Sequence, residues 1–122
     1  MLKIKRIYDP PERSDGERIL VDRLWPRGLS KRTAAVDLWM KDLGPSHDLR
    51  KWFSHDPKRW REFRRRYMAE LQTKRDSLAA TARKASRGTV TLLFGARDPK
   101  HNQAVMLKET IERLQRGRRR AA

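Results

Sequence analysis

The stretch I-L-V-D-R-L-W-P-R-G-L-S-K at residues 19–31 restricts the fold of this chain more than any other. Ile19, Leu20 and Val21 form a continuous aliphatic run, the pattern of a strand buried on both faces, as in a parallel sheet covered by helices. The run ends on Asp22 and Arg23 and breaks at Pro26 and Gly28. In open α/β sheets ligands collect in the crevice beyond the carboxyl ends of the strands, and a Pro-Gly turn lets backbone come close to a ligand. Residues 22–28 are therefore the first candidate site. A strand followed by a turn with solvated arginines is the simpler reading of the same residues.

A second buried strand is expected from T-V-T-L-L-F at residues 89–94. Gly95-Ala96-Arg97 then leads to Asp98-Pro99, a helix start like the one at Asp56-Pro57, which places His101 and Asn102 in the first turn of the last helix. Strand, glycine turn and helix amino end in succession would aim free backbone N–H groups at the crevice, a ready place for an anion. Leu2, Ile4 and Ile7 interleaved with Lys3, Lys5 and Arg6 predict a first strand over residues 2–8 with one solvated face. A crossover brings buried parallel strands side by side, so the strands at 18–24 and 89–94 should be neighbours with their carboxyl ends at one edge.

Between them, V-D-L-W-M-K-D-L at residues 36–43 alternates as a fourth strand would, although a helix from Thr33 also fits. Ser46 is an N-cap for a short helix carrying Leu49, Trp52 and Phe53. From Asp56-Pro57 onward, Trp60, Phe63, Tyr67, Leu71, Leu78, Ala82 and Ala85 draw one apolar stripe. It predicts one helix of about eight turns, closed by Gly88. The fold class is thus α/β: a single compact domain over residues 1–115, with a small, mainly parallel sheet of three or four strands flanked by helices. Residues 116–122 are a basic tail without an apolar anchor, expected to be disordered or loosely ordered.

No cysteine occurs among the 122 residues, which excludes disulfides, thiolate nucleophiles and Cys-ligated zinc. With no signal-like or membrane-length apolar run either, a cytoplasmic protein without a membrane partner is expected. Lys and Arg number 31 against 15 Asp and Glu, a formal net charge of +16, so the surface field favours nucleic acid or a small anionic ligand. Arg61, Arg64 and Arg65 of the long helix and Arg118, Arg119 and Arg120 of the tail are the candidate phosphate contacts. A large charge also serves solubility alone.

The motifs V-D-R-L-W-P-R-G at 21–28, L-W at 38–39, P-S at 45–46, L-R-K-W-F-S-H at 49–55 and L-L-F-G-A-R-D-P-K-H-N at 92–102 go together. On them the chain closely resembles the YeaO-like branch of the family called domain of unknown function 488, over roughly residues 1–115. That resemblance implies a compact α/β domain and brings with it no settled activity, substrate or catalytic residue. The wider family often carries Cys-His-Arg where this chain has Asn102, Gln103 and Ala104, so a thiol mechanism would not transfer.

Among the residues present, Asp22 and His101 are the candidate acid and base. Arg23, Trp25, Arg27, Lys31, Arg50, His55, Arg97 and Asn102 are the candidate ligand contacts. Asp98 reads best as a helix cap, and Ser46 is a nucleophile only if a base reaches it. His47, His55 and His101 are too scattered for a metal motif, and no cofactor-binding signature is present. Two functions fit: a module that binds a small anion or nucleic acid, and an enzyme acting on a small phosphorylated or carboxylated substrate.

Overall fold

In the computed structural model, which describes residues 1–121, the run at 89–94 becomes strand β4 (Val90–Phe94), buried along its whole length. It lies between β1 (Leu2–Arg6) and β2 (Glu17–Leu20), and β2 carries the two-residue β3 (Leu38–Trp39) on its far side. Every pairing is parallel, with Ile4 and Ile19 flanking Leu92. The two apolar runs are therefore neighbours with their carboxyl ends at one edge. Both β1 and β2 are shorter than expected. Val21 N–H still donates to Leu93 O at 3.1 Å and Ile7 N–H to Phe94 O at 2.8 Å, after which each chain leaves the sheet. Of the two alternatives for residues 36–43 the strand holds in part, as β3; α1 (Lys31–Ala34) ends before them, and β3 gives way to a 3-10 turn at Lys41–Leu43.

One sheet face packs Ile19, Val21, Leu92 and Phe94 against Phe63, Tyr67, Leu71, Ala82, Leu107 and Ile111. Burying each large side chain of this kind stabilises the fold by roughly 1.5–3 kcal/mol. The other face, Ile7, Leu20 and Leu93, is covered by Ala34, Trp25, Leu29, Val36 and Trp39 of the segment that follows β2.

The expected long helix is two helices, α3 (Trp60–Leu71) and α4 (Arg75–Arg87), the short α2 (His47–Phe53) preceding them. Thr73 Oγ1 donates to Glu70 O at 2.8 Å and Lys74 N–H to Leu71 O at 2.9 Å, tight local bonds that replace the α-helical ladder. Asp56 and Pro57 open a 3-10 turn, Pro57–Arg59, ahead of α3. The last helix is displaced as well. α5 (Gln103–Ala121) is capped by Asn102, whose Oδ1 accepts from Val105 N–H at 3.2 Å. Asp98 instead accepts from Lys100 and His101 N–H at 2.9 and 3.2 Å and closes a turn before the helix. His101 thus lies outside α5, and residues 116–120 extend α5 where a loose tail was expected.

Gly16 has φ 64°, and a Cβ there would sit 2.1 Å from Thr89 O, whereas Gly28 at φ 78° faces open space. Gly28→Ala should cost only the left-handed backbone penalty, about 1 kcal/mol. Gly16→Ala should cost several times that, because β2 and β4 must separate at their amino ends. Urea unfolding of the two variants checks this, and equal losses would contradict it.

Candidate ligand crevice at the strand ends

Beyond the carboxyl ends of β2 and β4 opens a crevice of about 370 Å³. Asp22 leaves β2 and its side chain crosses to the exit of β4, where Oδ2 accepts from Gly95 N–H at 2.9 Å and Oδ1 accepts from the Gln103 side-chain amide. Its carbonyl accepts from Trp39 Nε1 at 2.7 Å. Burial pushes the Asp22 carboxyl up to about 6, against the lowering pull of Gly95, Gln103 and the charge of Arg50.

The crevice brings together Asp22, Arg23, Trp25, Arg27, Arg50, His55, His101 and Asn102 of the residues singled out from sequence. Lys31 on α1 and the exposed Arg97 do not line it. Arg23 donates from Nε to Pro45 O at 2.8 Å and from Nη2 to Gly44 O at 2.9 Å, so its fork holds the loop before α2. Arg27 is exposed and makes no ion pair with Asp22; its carbonyl accepts from Tyr8 Oη at 2.9 Å. Trp25 Nε1 donates to Leu29 O at 2.7 Å, and the ring meets Trp39 edge-on.

Arg50 is delivered by α2, whose start is fixed by Ser46: Oγ accepts from Leu49 N–H at 3.2 Å. Ser46 is held in turn by the Glu70 carboxylate, which accepts from its N–H at 2.8 Å and from its Oγ at 2.5 Å; it caps α2 and does not line the crevice. Arg50 Nε is buried and unpartnered, and Nη2 has only His47 Nδ1 at 3.3 Å. His55 follows Ser54 in a second left-handed conformation, φ 56° after φ 47°. Such non-glycine backbone costs roughly 1–3 kcal/mol per residue and concentrates at functional sites.

His101 Nδ1 lies 2.7 Å from Asp98 Oδ2, and its ring stands edge-on to Trp60. Hydrogen bonds from Lys100 N–H and then from the His101 side chain hold the Asp98 carboxyl below the usual range. Asn102 is buried and spends both amide ends on the fold, donating to Asp98 O at 2.9 Å and capping α5. The sequence reading missed Gln103, Tyr8, Phe53 and Phe63 as crevice residues. Phe53 and Phe63, on the apolar faces of α2 and α3, are core residues that also wall the crevice. The one signal for Gln103 was its place in the stretch where relatives often carry Cys-His-Arg.

Away from the crevice, Arg64 pairs with Glu109 at 2.8 Å, and Arg65 and Arg66 share Glu62 at 2.7 and 2.8 Å. Arg61, Arg118 and Arg120 are exposed, while the Arg119 side chain lies outside the described residues. No helix among the described residues is long and apolar enough to cross a membrane.

Fold and crevice together define a small α/β protein with an all-parallel four-stranded sheet and an open crevice at its carboxyl edge. The chain belongs to the DUF488 family: the model described as the inactive DUF488-N3 subclade matches residues 1–121. It is 42% identical over 113 residues to the uncharacterized protein YeaO of Escherichia coli, covering 93% of this chain and 98% of that one. It is 36% identical over 110 residues to the uncharacterized protein Rv3073c of Mycobacterium tuberculosis, covering 90% and 92%, and likewise to Mb3100c of Mycobacterium bovis. No solved structure matches the chain at a significant level.

Asp22 makes the fold pH-sensitive in a defined direction. Its folded pKa of about 6 stands above the ordinary value of 3.8. Its contribution is fully present below pH 3.8 and is lost as pH rises through 6, at most ~3 kcal/mol. Asp22→Asn, with the Gln103 amide turned to match, should therefore gain stability relative to wild type between pH 5 and 7.5. Urea midpoints at the two pH values measure it, and a difference that stays flat or shrinks would contradict the assignment.

Proposed function

We propose that this protein binds a small anion, a phosphate or carboxylate group, in the crevice at the strand ends, and that it does so without covalent chemistry. The observation that carries this reading is the uncommitted guanidinium of Arg50. Arg18 and Arg23 spend their donors on backbone carbonyls and, for Arg18, on Asp15. Arg50 has a single weak contact to His47 while lining the crevice with Arg27, His55 and His101. A planar fork with free donors suits the paired oxygens of a carboxylate or phosphate. With Asp22 beside it, an anion binds together with uptake of a proton by Asp22, since a second negative charge nearby favours the protonated carboxyl. Binding should then tighten as pH falls toward 6. The inactive designation of the matching subclade and the absence of cysteine also favour binding over catalysis.

A second reading rests on the pair of Asp98 and His101, a carboxylate orienting an imidazole at the rim of the same crevice. That arrangement suits a general base acting on a phosphorylated or carboxylated substrate held by Arg50. The net charge of +16 supports a polyanion partner too, which a crevice of about 370 Å³ is too small to enclose.

Calorimetric titration with inorganic phosphate tests the main reading. Arg50→Lys keeps the charge and loses the fork, and should weaken phosphate tenfold or more with an unchanged melting temperature; Arg27→Lys should act in the same direction. Wild-type affinity in both variants would remove the proposal. Turnover of p-nitrophenyl phosphate that disappears in His101→Asn would favour the enzyme instead.

A further inference from the structure

The arginines of α3 and those at the ends of α4 and α5 differ in their partners. On and beside α3 they are mostly paired: Arg64 with Glu109, Arg65 and Arg66 with Glu62, and Arg59 at 3.8 Å from Asp56. The opposite holds where the last turns of α4 and α5 meet. There Gln115 Nε2 donates to Ser86 Oγ at 3.0 Å, and the Met1 ammonium caps α4 through Ala85 O and Gly88 O at 2.6 and 2.9 Å. Val90 N–H donates to Met1 O at 2.9 Å, so this junction sits at the amino ends of the strands, the edge opposite the crevice.

Arg83 and Arg87 of α4 and Arg113, Arg116, Arg118 and Arg120 of α5 are all exposed at this end. None forms an ion pair among the described residues. Arg83 and Arg87 are four apart, flanking Ser86, while Arg113, Arg116 and Arg120 follow one another at steps of three and four. Each set therefore lines one helix face, and like charges so spaced repel until an anion lies between them. No acidic residue occurs after Glu112 to offset them.

We propose that this end of the molecule docks duplex nucleic acid through its backbone phosphates. The claim rests on the polyanion reading of the charge; it keeps Arg118 and Arg120 of the candidates named from sequence, drops those of α3 and adds Arg83, Arg87, Arg113 and Arg116. A phosphate polymer in water is favoured over a lipid surface because residues 115–120, Q-R-G-R-R-R, offer no apolar side chain to enter a bilayer. Contacts confined to phosphates predict binding that is indifferent to sequence and steeply weakened by salt, with a slope of about −0.9 per phosphate neutralised.

Fluorescence anisotropy with a labelled duplex of arbitrary sequence, between about 50 and 200 mM salt, tests it on the full chain. The triple variant Arg116→Gln, Arg118→Gln, Arg120→Gln changes only exposed positions and should keep its helical circular dichroism. It should lose tenfold or more in affinity at low salt, and its salt slope should shrink by about 2–3. Arg61→Gln with Arg65→Gln on α3 should bind as wild type does. Equal loss in the α3 variant would overturn the location and leave the polyanion reading standing. No wild-type binding at low salt would remove both, and tighter binding to phosphatidylserine vesicles than to the duplex would overturn the choice of partner.

Discussion

The carboxyl edge of the sheet depends on one half-buried carboxylate. Asp22 joins the end of β2 to the exit of β4 through Gly95 N–H and to the first turn of α5 through Gln103, and its own carbonyl anchors Trp39. Gly95 N–H needs an acceptor where the strand ladder has run out, because a half-buried backbone donor left without one is unfavourable. Supplying that acceptor as a carboxylate draws a charge out of water, which is why the group titrates near 6. The same charge attracts Arg50, which hydrogen bonds otherwise hold only weakly. A single side chain thus orders the edge of the fold and sets the electrostatics of the crevice above it.

How much of this could be read from the sequence depends on the range of the interaction responsible. β4 and the core of β2 were legible because burial on both faces leaves an unbroken apolar run. The break between α3 and α4 was not, since the seven-residue step from Leu71 to Leu78 keeps helical phase while Thr73 diverts the chain. The two Asp-Pro pairs look alike, yet Asp98 caps only a turn, because the buried Asn102 takes over the cap of α5. Within the crevice, Asp22, Trp25, Arg27 and His101 were found by the rule that strand ends gather ligands, whereas Arg50 and His55 were candidates by residue type alone. Gln103 was missed because its contact with Asp22 spans 81 positions, and Arg23 was placed correctly but is occupied by the Gly44 and Pro45 carbonyls.

Charge shows the same division. In sequence, Glu62 is the sole acid within the arginine-rich start of α3, so that helix looks like the free basic surface. In three dimensions Glu62 serves two arginines and Glu109 arrives from α5, which leaves much of that face neutralised by its own neighbours. Exposed pairs of this kind add little stability, but they lower the attraction for an external anion. The arginines at the crevice and, on the opposite edge, at the ends of α4 and α5 have no such partner among the described residues.

The account stands most directly on whether the crevice is a preformed anion site. Soaking crystals with tungstate, a phosphate-like ion located by its anomalous scattering, would answer that in one map. The account predicts an ordered ion in the crevice within hydrogen-bonding reach of the Arg50 guanidinium. Ions confined to the exposed arginines of α4 and α5, with the crevice empty, would contradict it.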